Sequence, residues 1–180
     1  MTDSLSIYRK ADRLVSHFGT RDPELIAKGA GIFIYDILDT DELLGMYCVR
    51  WRKRMILLNQ YLETHMRTNV IAHELGHDQQ HRDLAKCGLQ EFSLFNMQSR
   101  TEYEANAFAS HILLDTDEVL SYARNGYDVV QIAQAMNTNI NMVLIKVSEM
   151  NNLGYPLRMP MDVDPTFLKD ISPEYGKRDE

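Results

Sequence analysis

Residues 69–81, with the sequence NVIAHELGHDQQH, concentrate four side chains that can bind a metal ion or exchange a proton. These side chains are His73, Glu74, His77 and His81, and they stand beside apolar residues in a stretch that favours a helix. His73 and His77 are four residues apart, so on a helix both imidazole rings project from one face and can bind a single ion. Glu74 directly follows the first of these histidines.

This spacing is the H-E-x-x-H motif of zinc hydrolases, in which two imidazoles hold the metal and the glutamate acts on the attacking water. Neutral imidazole suits a borderline cation such as zinc. A carboxylate beside the water can accept its proton and later pass it to the leaving amine. Short patterns also arise by chance, but here a predicted helix surrounds the motif. We therefore predict a Zn²⁺ cofactor, with His73 and His77 as ligands and Glu74 as the general base.

A catalytic zinc site generally has three protein ligands and one open position, so a third ligand is required. Asp83 stands where one group of such enzymes has a third histidine, but no glycine precedes it to turn the helix. His81 is one turn beyond His77, where a straight helix carries its side chain past the ion, so we expect it behind the ligands or in solvent. The remaining candidates are Glu102 and Glu104, in the later helical stretch TEYEANAFASHILL.

Glu102 and Glu104 point to nearly opposite faces of that helix. Either glutamate could instead complete a capping box, which would begin at Ser99 for Glu102 and at Thr101 for Glu104. If Thr101 is the cap, Glu104 is accounted for and Glu102 is available as a ligand. We therefore predict Glu102 as the third ligand, with Glu104 as the alternative. Asn106, one turn after Glu102, is predicted to hydrogen bond to a ligand.

Hydrophobic periodicity and turn residues predict the elements that must position these side chains. A first helix is expected to end at Gly19. Three short stretches rich in β-branched and aromatic residues, 31–38, 45–51 and 55–58, are expected to form a small antiparallel sheet. Two helices, at about residues 61–82 and 101–114, carry the candidate site.

The composition of the chain is that of an ordinary globular domain. Its 180 residues are 44% hydrophobic and 25% charged, and the net charge is -7. This charge argues against direct nucleic-acid binding, which needs clustered cations. The single basic cluster, residues 50–54, is explained as a solvated turn between two strands. No signal peptide or membrane span of ~20 apolar residues is apparent, so we expect a cytoplasmic protein with Cys48 and Cys87 as free thiols.

Residues 129–151 read as two helices with a short break, which is also the outline of a DNA-binding helix-turn-helix. The second helix carries one lysine, one glutamate and no arginine. A recognition helix without cations has little attraction to phosphates. We therefore interpret the segment as a packing module or a docking surface for a protein substrate.

The stretches ILLNQYLETHMRTNVIAHELGHDQQH and EYEANAFASHILL together resemble the ImmA/IrrE-type metallopeptidases of bacteria and their mobile elements. The resemblance extends through VVQIAQAMNTNINMVLIKVSEMNNLGYPL and covers residues 55–157. Glu102, Ala105 and Asn106 match the E-x-x-A-D/N signature of the helix that supplies the third ligand. One departure is Leu113-Leu114-Asp115-Thr116, where the family commonly has L-L-M-P. It concerns the turn after that helix.

The resemblance implies an α+β, zincin-like metalloprotease domain with a small antiparallel sheet and a helical C-terminal part. On this basis we expect a zincin-like metallopeptidase domain over residues 1–114 and a small helical module, packed on it, over residues 115–154. The module is expected to contain three short helices, with breaks at residues 125–126 and 137–139. Residues 155–180 contain four prolines and are predicted to be an extended or disordered tail.

The resemblance also implies a function. Members of the family act as site-specific proteases on a partner helix-turn-helix repressor and so relieve repression of a mobile element or a stress regulon. The alternative is a non-proteolytic protein that binds a repressor and uses zinc only structurally. The presence of Glu74 favours the protease, because a structural zinc site has no chemical need for a carboxylate beside the metal. The residue that stabilises the oxyanion is left open among Tyr47, Tyr61, Tyr103 and His111.

Overall fold

The computed structural model describes residues 3–38, 43–84, 89–91 and 99–157. Seven helices and four strands lie within these ranges, and the fold is α+β, as predicted. In chain order they are α1 (Ser4–Phe18), α2 (Pro23–Gly29), β1 (Phe33–Ile37), β2 (Gly45–Arg50), β3 (Lys53–Asn59), α3 (Thr64–Gln80), β4 (Leu89–Glu91), α4 (Arg100–Leu113), α5 (Thr116–Arg124), α6 (Val129–Ala135) and α7 (Ile140–Asn152).

The four strands form one mixed sheet in the order β1-β3-β2-β4. The β2–β3 and β2–β4 pairs are antiparallel, but β1 runs parallel to β3, so the prediction of an antiparallel sheet is wrong for this pair. The reason is that β3 inserts between β1 and β2, which are consecutive in the chain. Alternation of side chains reveals strands but not which strands become neighbours. Strand β4 was not predicted, since three residues are too few to show a period of two.

The basic residues 50–54 form the turn between β2 and β3, as predicted. Arg50 pairs with Lys53, so Trp51 and Arg52 are the two residues of a tight hairpin loop. Both have positive φ, 50° and 61°, which is the conformation that a type I′ hairpin requires at both central positions. Trp51 is 87% exposed. Residues 50–53 of the cluster are therefore exposed at the turn, whereas Arg54 lies in β3 and is partly buried.

Helix α3 lies at the centre of the fold, and its residues from Asn69 to Asp78 are all buried. One side of the helix packs against the inner face of the sheet, where Tyr47, Ile56 and Leu58 are fully buried. Another side packs against α4. A helix covered on several sides is not expected to show one apolar stripe, and α3 alternates apolar and ionisable residues around its circumference. The ionisable residues between Asn69 and Asp78 are therefore inside the protein rather than on its surface.

The C-terminal helices pack on α4 and form a second hydrophobic cluster that includes Val119, Ile132 and Met142. The predicted breaks lie where the structure has them, between α5 and α6 and between α6 and α7. Asp115, at the departure from the family pattern, caps α5 by accepting the backbone N–H groups of residues 117 and 118. The second cluster also includes Ala72 from α3. The boundary at residue 114 remains a prediction, and most of the predicted tail lies outside the described residues.

Helix α7 is a core helix. Its lysine, Lys146, is 1% exposed and its glutamate, Glu149, is 0% exposed. Lys146 donates hydrogen bonds to His111 Nδ1 and Thr116 Oγ1 at 3.0 and 2.9 Å. Glu149 accepts one from Ser4 Oγ at 3.1 Å. Because these groups are turned inward, α7 presents no charged face that could enter a DNA groove.

Candidate metal centre

Helices α3 and α4 bring His73, His77 and Glu102 together. The Nε2 atoms of His73 and His77 are 3.0 Å apart. Glu102 Oε2 lies 3.2 Å from Nε2 of His73 and 3.6 Å from Nε2 of His77. Among the described residues this is the cluster of metal-binding side chains whose donor atoms converge, all within 4.8 Å of one another. It contains the three predicted ligands and neither Glu104 nor Asp83.

The separations fit a single tetrahedral ion. With bonds of ~2.0–2.1 Å, two donors of a tetrahedral zinc are about 3.3 Å apart. The three observed separations, 3.0, 3.2 and 3.6 Å, lie on both sides of this value. Two imidazole nitrogens and one carboxylate oxygen are also a donor set that catalytic zinc sites use. The residues present therefore fit the metal that the motif implies.

The protonation of the histidines also suits a metal. His73 and His77 are 1% and 2% exposed. Burial lowers the pKa of His77 to about 4, although hydrogen bonding to Glu102 works in the opposite direction. His77 is thus neutral at physiological pH, which is the form of imidazole that binds a metal.

Each of the two histidines has a partner at its other ring nitrogen. His73 Nδ1 lies 2.9 Å from Oδ1 of Asn106, which is 1% exposed. His77 Nδ1 lies 3.1 Å from Nδ1 of His81. Partners of this kind fix the orientation and the tautomer of a metal-binding imidazole. Both rings are thereby held with Nε2 towards Glu102.

The approach of α4 to α3 depends on Gly76. A methyl group at this position would lie 2.7 Å from Ala105 Cα and 2.8 Å from Ala105 O, well inside ordinary contact. The absence of a side chain therefore lets the backbone of α4 lie directly against α3. Glu102 is one turn before Ala105, so this contact sets how far its carboxylate is from the histidines.

Glu74 is fully buried at the point where α3 meets the start of β2. A methyl group on Gly45 would lie 2.9 Å from Glu74 Oε1 and 2.5 Å from Val70 Cγ1. Gly45 thus leaves the space that the carboxylate occupies. The result is a carboxylate next to His73 in sequence and enclosed by the protein.

Glu104, the alternative ligand, is engaged elsewhere. Its Oε2 lies 3.1 Å from His81 Nε2, and its Oε1 accepts a hydrogen bond from Arg100 Nε at 2.6 Å. Burial would raise the pKa of Glu104, but the contacts with Arg100 and His81 outweigh it and lower this pKa. Asp83 lies in an exposed turn after α3.

The cap of α4 differs from the expectation that supported Glu102. Ser99, not Thr101, is the N-cap, and its Oγ accepts the backbone N–H of Glu102 at 3.2 Å. Of the two capping patterns that the sequence allowed, the structure has the one that begins at Ser99. The bond to Ser99 uses the backbone N–H of Glu102, and the side chain of Glu102 faces the histidines.

Sequence reasoning missed the group that fixes α3 to the sheet. Asp78, buried directly after His77, accepts a hydrogen bond from Tyr47 OH at 2.6 Å. It also forms ion pairs with Arg54 of β3 at 3.1 Å and Arg82 at 2.9 Å. Burial and the bond to Asp78 raise the pKa of Tyr47. The spacing of four residues between Asp78 and Arg82 could have predicted their ion pair. Nothing in the sequence indicated that Tyr47 and Arg54 of the sheet would also contact Asp78.

The residues considered for oxyanion stabilisation are mostly committed to other contacts. Tyr47 bonds to Asp78, and Tyr103 donates a hydrogen bond to Glu149 at 2.5 Å. His111 accepts from Lys146. Tyr61 is 69% exposed in the turn after β3. Three of the four candidates therefore serve the packing of the fold.

The fold and the cluster define a class: an α+β, zincin-like domain in which one buried helix carries H-E-x-x-H and a second helix adds a carboxylate. Comparison with known families agrees with this class, because residues 27–148 match the Peptidase_M78 family, described as the IrrE N-terminal-like domain. The chain belongs to this family of peptidases, as its resemblance to the ImmA/IrrE type predicted. The matched range contains α3, α4 and every residue of the cluster.

A relative from Bacillus phage phi105 is called "Uncharacterized immunity region protein 2". It is 30% identical to this chain over 141 residues, which are 78% of this chain and 89% of the phage protein. Among the described residues, no helix has the length and apolar character needed to cross a membrane.

Proposed function

We propose that the protein is a zinc-dependent, site-specific endopeptidase that cleaves a helix-turn-helix transcriptional repressor in the cytoplasm and so relieves repression of a mobile element or a stress regulon. The observation that carries the metal-dependent part of this proposal is the convergence of His73, His77 and Glu102 at separations that suit one tetrahedral zinc. Membership of a peptidase family supports hydrolysis of a peptide bond.

In this proposal each side chain has one task. His73, His77 and Glu102 hold the ion, which when bound would polarise the peptide carbonyl and make a water more acidic. Glu74 accepts the proton of the attacking water and delivers it to the nitrogen of the leaving amine. Glu74 directly follows His73 in the sequence, and its burial excludes solvent that would compete for the proton.

Two observations support a regulatory protein as substrate, the name of a relative and an edge of the sheet near Glu74. The name of the phage relative refers to an immunity region, and this supports a regulatory protein as the substrate. An extended segment of a substrate can add to the edge of a sheet and gain backbone hydrogen bonds. In the described sheet the outer strands are β1 and β4. Strand β4 pairs with β2 from Gly45, the residue whose lack of a side chain leaves room for the Glu74 carboxylate. We therefore propose β4 as the edge that receives the substrate.

The alternative function is a repressor-binding protein that does not cut and that uses zinc structurally. A specific observation weighs against it. Glu74 is 0% exposed, and burying a carboxylate is costly. A purely structural zinc site gains nothing from this group, whereas a hydrolase needs it.

The experiment that separates the two functions is a paired assay of Glu74→Gln and the wild type. This change preserves size and leaves the three ligands untouched, so zinc content and repressor binding should be unchanged. Cleavage should fall by ~10²–10⁴-fold, the usual effect of removing general acid–base catalysis. A wild type that holds zinc and binds candidate helix-turn-helix repressors, but never cuts them, would favour the binding protein.

A further inference from the structure

Behind the candidate metal centre, three polar side chains connect His77 to the protein surface. His77 Nδ1 lies 3.1 Å from His81 Nδ1. At the other end of the His81 ring, Nε2 lies 3.1 Å from Glu104 Oε2. Arg100 Nε lies 2.6 Å from the second oxygen of Glu104. The four residues form a continuous chain from a buried ligand to an arginine whose side chain is 65% exposed.

The direction of the hydrogen bonds in this chain follows from chemistry. Glu104, ionised and paired with Arg100, can only accept, so His81 donates to it from Nε2. In the His81 tautomer whose ring proton is on Nε2, the Nδ1 atom can accept the Nδ1–H of His77, 3.1 Å away. His77 in this tautomer has an unprotonated Nε2, which is the atom that faces His73 and Glu102. The carboxylate of Glu104 thereby determines which nitrogen of His77 can bind a metal.

We infer that His81 is a positioning residue of the metal site, held by Glu104 in the tautomer that accepts the Nδ1–H of His77. The inference rests on the proposed function, since it concerns the affinity of the proposed site for zinc. His73 has the corresponding acceptor in Asn106 Oδ1, at 2.9 Å. The two metal-binding histidines are thus fixed by different acceptors, an amide oxygen for one and an imidazole nitrogen for the other.

His81 and Glu104 are largely buried, so the loss of their hydrogen bonds cannot simply be replaced by bonds to water. His81 is 7% exposed, and the side chain of Glu104 is 13% exposed. If His81 is removed, the N–H of His77 loses its acceptor in a place where it is 2% exposed. An unsatisfied buried donor is costly, and His77 can relieve that cost by rotating away from the geometry that binds the ion.

The test measures zinc affinity of the full chain by competition with a chromophoric chelator. His81→Ala should weaken zinc binding by ~10–100-fold, the usual effect of removing a partner of a metal-binding histidine. His81→Asn should recover most of the loss, because its amide oxygen stands close to the position of Nδ1 and can accept, as Asn106 does for His73. Glu104→Ala should weaken binding by a smaller factor, and it should add little to His81→Ala since both act through one contact.

His65→Ala is the matched control, because His65 is on the same helix, is exposed and pairs with the exposed side chain of Glu63 at 3.5 Å. It should bind zinc as the wild type does. Unfolding of the metal-free variants separates positioning from a general loss of structure, and Glu104→Ala carries the test if His81→Ala does not fold. Wild-type affinity in His81→Ala, or equal losses in the Ala and Asn variants, would overturn the inference. A wild type that binds no zinc would instead overturn the proposed function.

Discussion

Replacing Gly76 by alanine tests whether the contact between α3 and α4 sets the geometry of the metal centre. The added methyl group would lie 2.7 Å from Ala105 Cα, whereas ordinary contact begins at 3.4 Å. The atoms it meets are backbone atoms, which cannot rotate away as the end of a side chain can. The helices must therefore separate locally, by about the difference of 0.7 Å.

This separation is large on the scale of the site. Glu102 Oε2 is already 3.6 Å from His77 Nε2. A further displacement of about 0.7 Å would bring that separation to about 4.3 Å, and two donors more than about 4.2 Å apart cannot both bond one ion at ~2.1 Å. Rotation of the glutamate can recover part of the loss, so we expect zinc affinity to fall by at least about 10-fold. The free energy of unfolding should fall by roughly 1–2 kcal/mol, because overpacking exceeds the gain in helix propensity of alanine over glycine.

Gly29→Ala is the control for this experiment. Its methyl group would also be crowded, at 2.6 Å from Phe18 Cε1, but the crowding atom is the end of a side chain and does not belong to α3 or α4. Chelator competition should show unchanged zinc affinity for Gly29→Ala, and chemical denaturation should show little loss of stability. If Gly76→Ala binds zinc within about twofold of the wild type, the close approach of the two helices does not position Glu102, and the reasoning is refuted.

Two further predictions address the ligand set and the buried core. The wild type should hold about one zinc per chain by elemental analysis. The variants His73→Ala, His77→Ala and Glu102→Ala should lose this zinc, while Glu104→Ala should still bind it at saturating zinc. Loss of zinc in Glu104→Ala with retention in Glu102→Ala would move the third ligand to Glu104. Burial lowers the pKa of Lys146 to about 7, so between pH 7 and about pH 10 the unfolded chain binds the extra proton and this residue makes stability rise with pH. Lys146→Met should flatten that part of the pH profile of unfolding free energy, and an unchanged slope would mean that Lys146 titrates normally.

The residues of α3 could be predicted from sequence because their relation is local. His73, Glu74 and His77 lie within a single turn and a half of one helix, and a spacing of four places two rings on one face. Glu102 required a different kind of reasoning, the comparison of helix faces and of a family signature. The sequence left the cap of this helix open between Ser99 and Thr101, because a cap depends on where the preceding chain enters the helix.

Contacts between distant elements gave no comparable signal. The parallel pairing of β1 depends on β3 entering between two consecutive strands, and Asp78 finds Tyr47 and Arg54 only after the sheet has formed. The burial of Lys146 is a similar case, since a lone lysine in a helix is ordinarily on the surface. In each case the strand pairing or the burial depends on a residue far away in the sequence. Neither the hydrophobic periodicity nor the composition of a segment indicates which distant residue it will contact.

The density of ionisable groups on α3 is explained by where the helix lies. The polar residues from Asn69 to His81 are mostly buried and need partners, and the partners come from two directions. The sheet supplies Tyr47 and Arg54 to Asp78, while α4 supplies Asn106 to His73 and Glu104 to His81. The apolar residues of the same helix pack against the core and contribute the hydrophobic free energy that offsets the cost of burying polar groups. A surface helix could carry the same motif, but its imidazoles would be free to rotate in solvent. In this protein, burial between the sheet and α4 holds the two Nε2 atoms 3.0 Å apart.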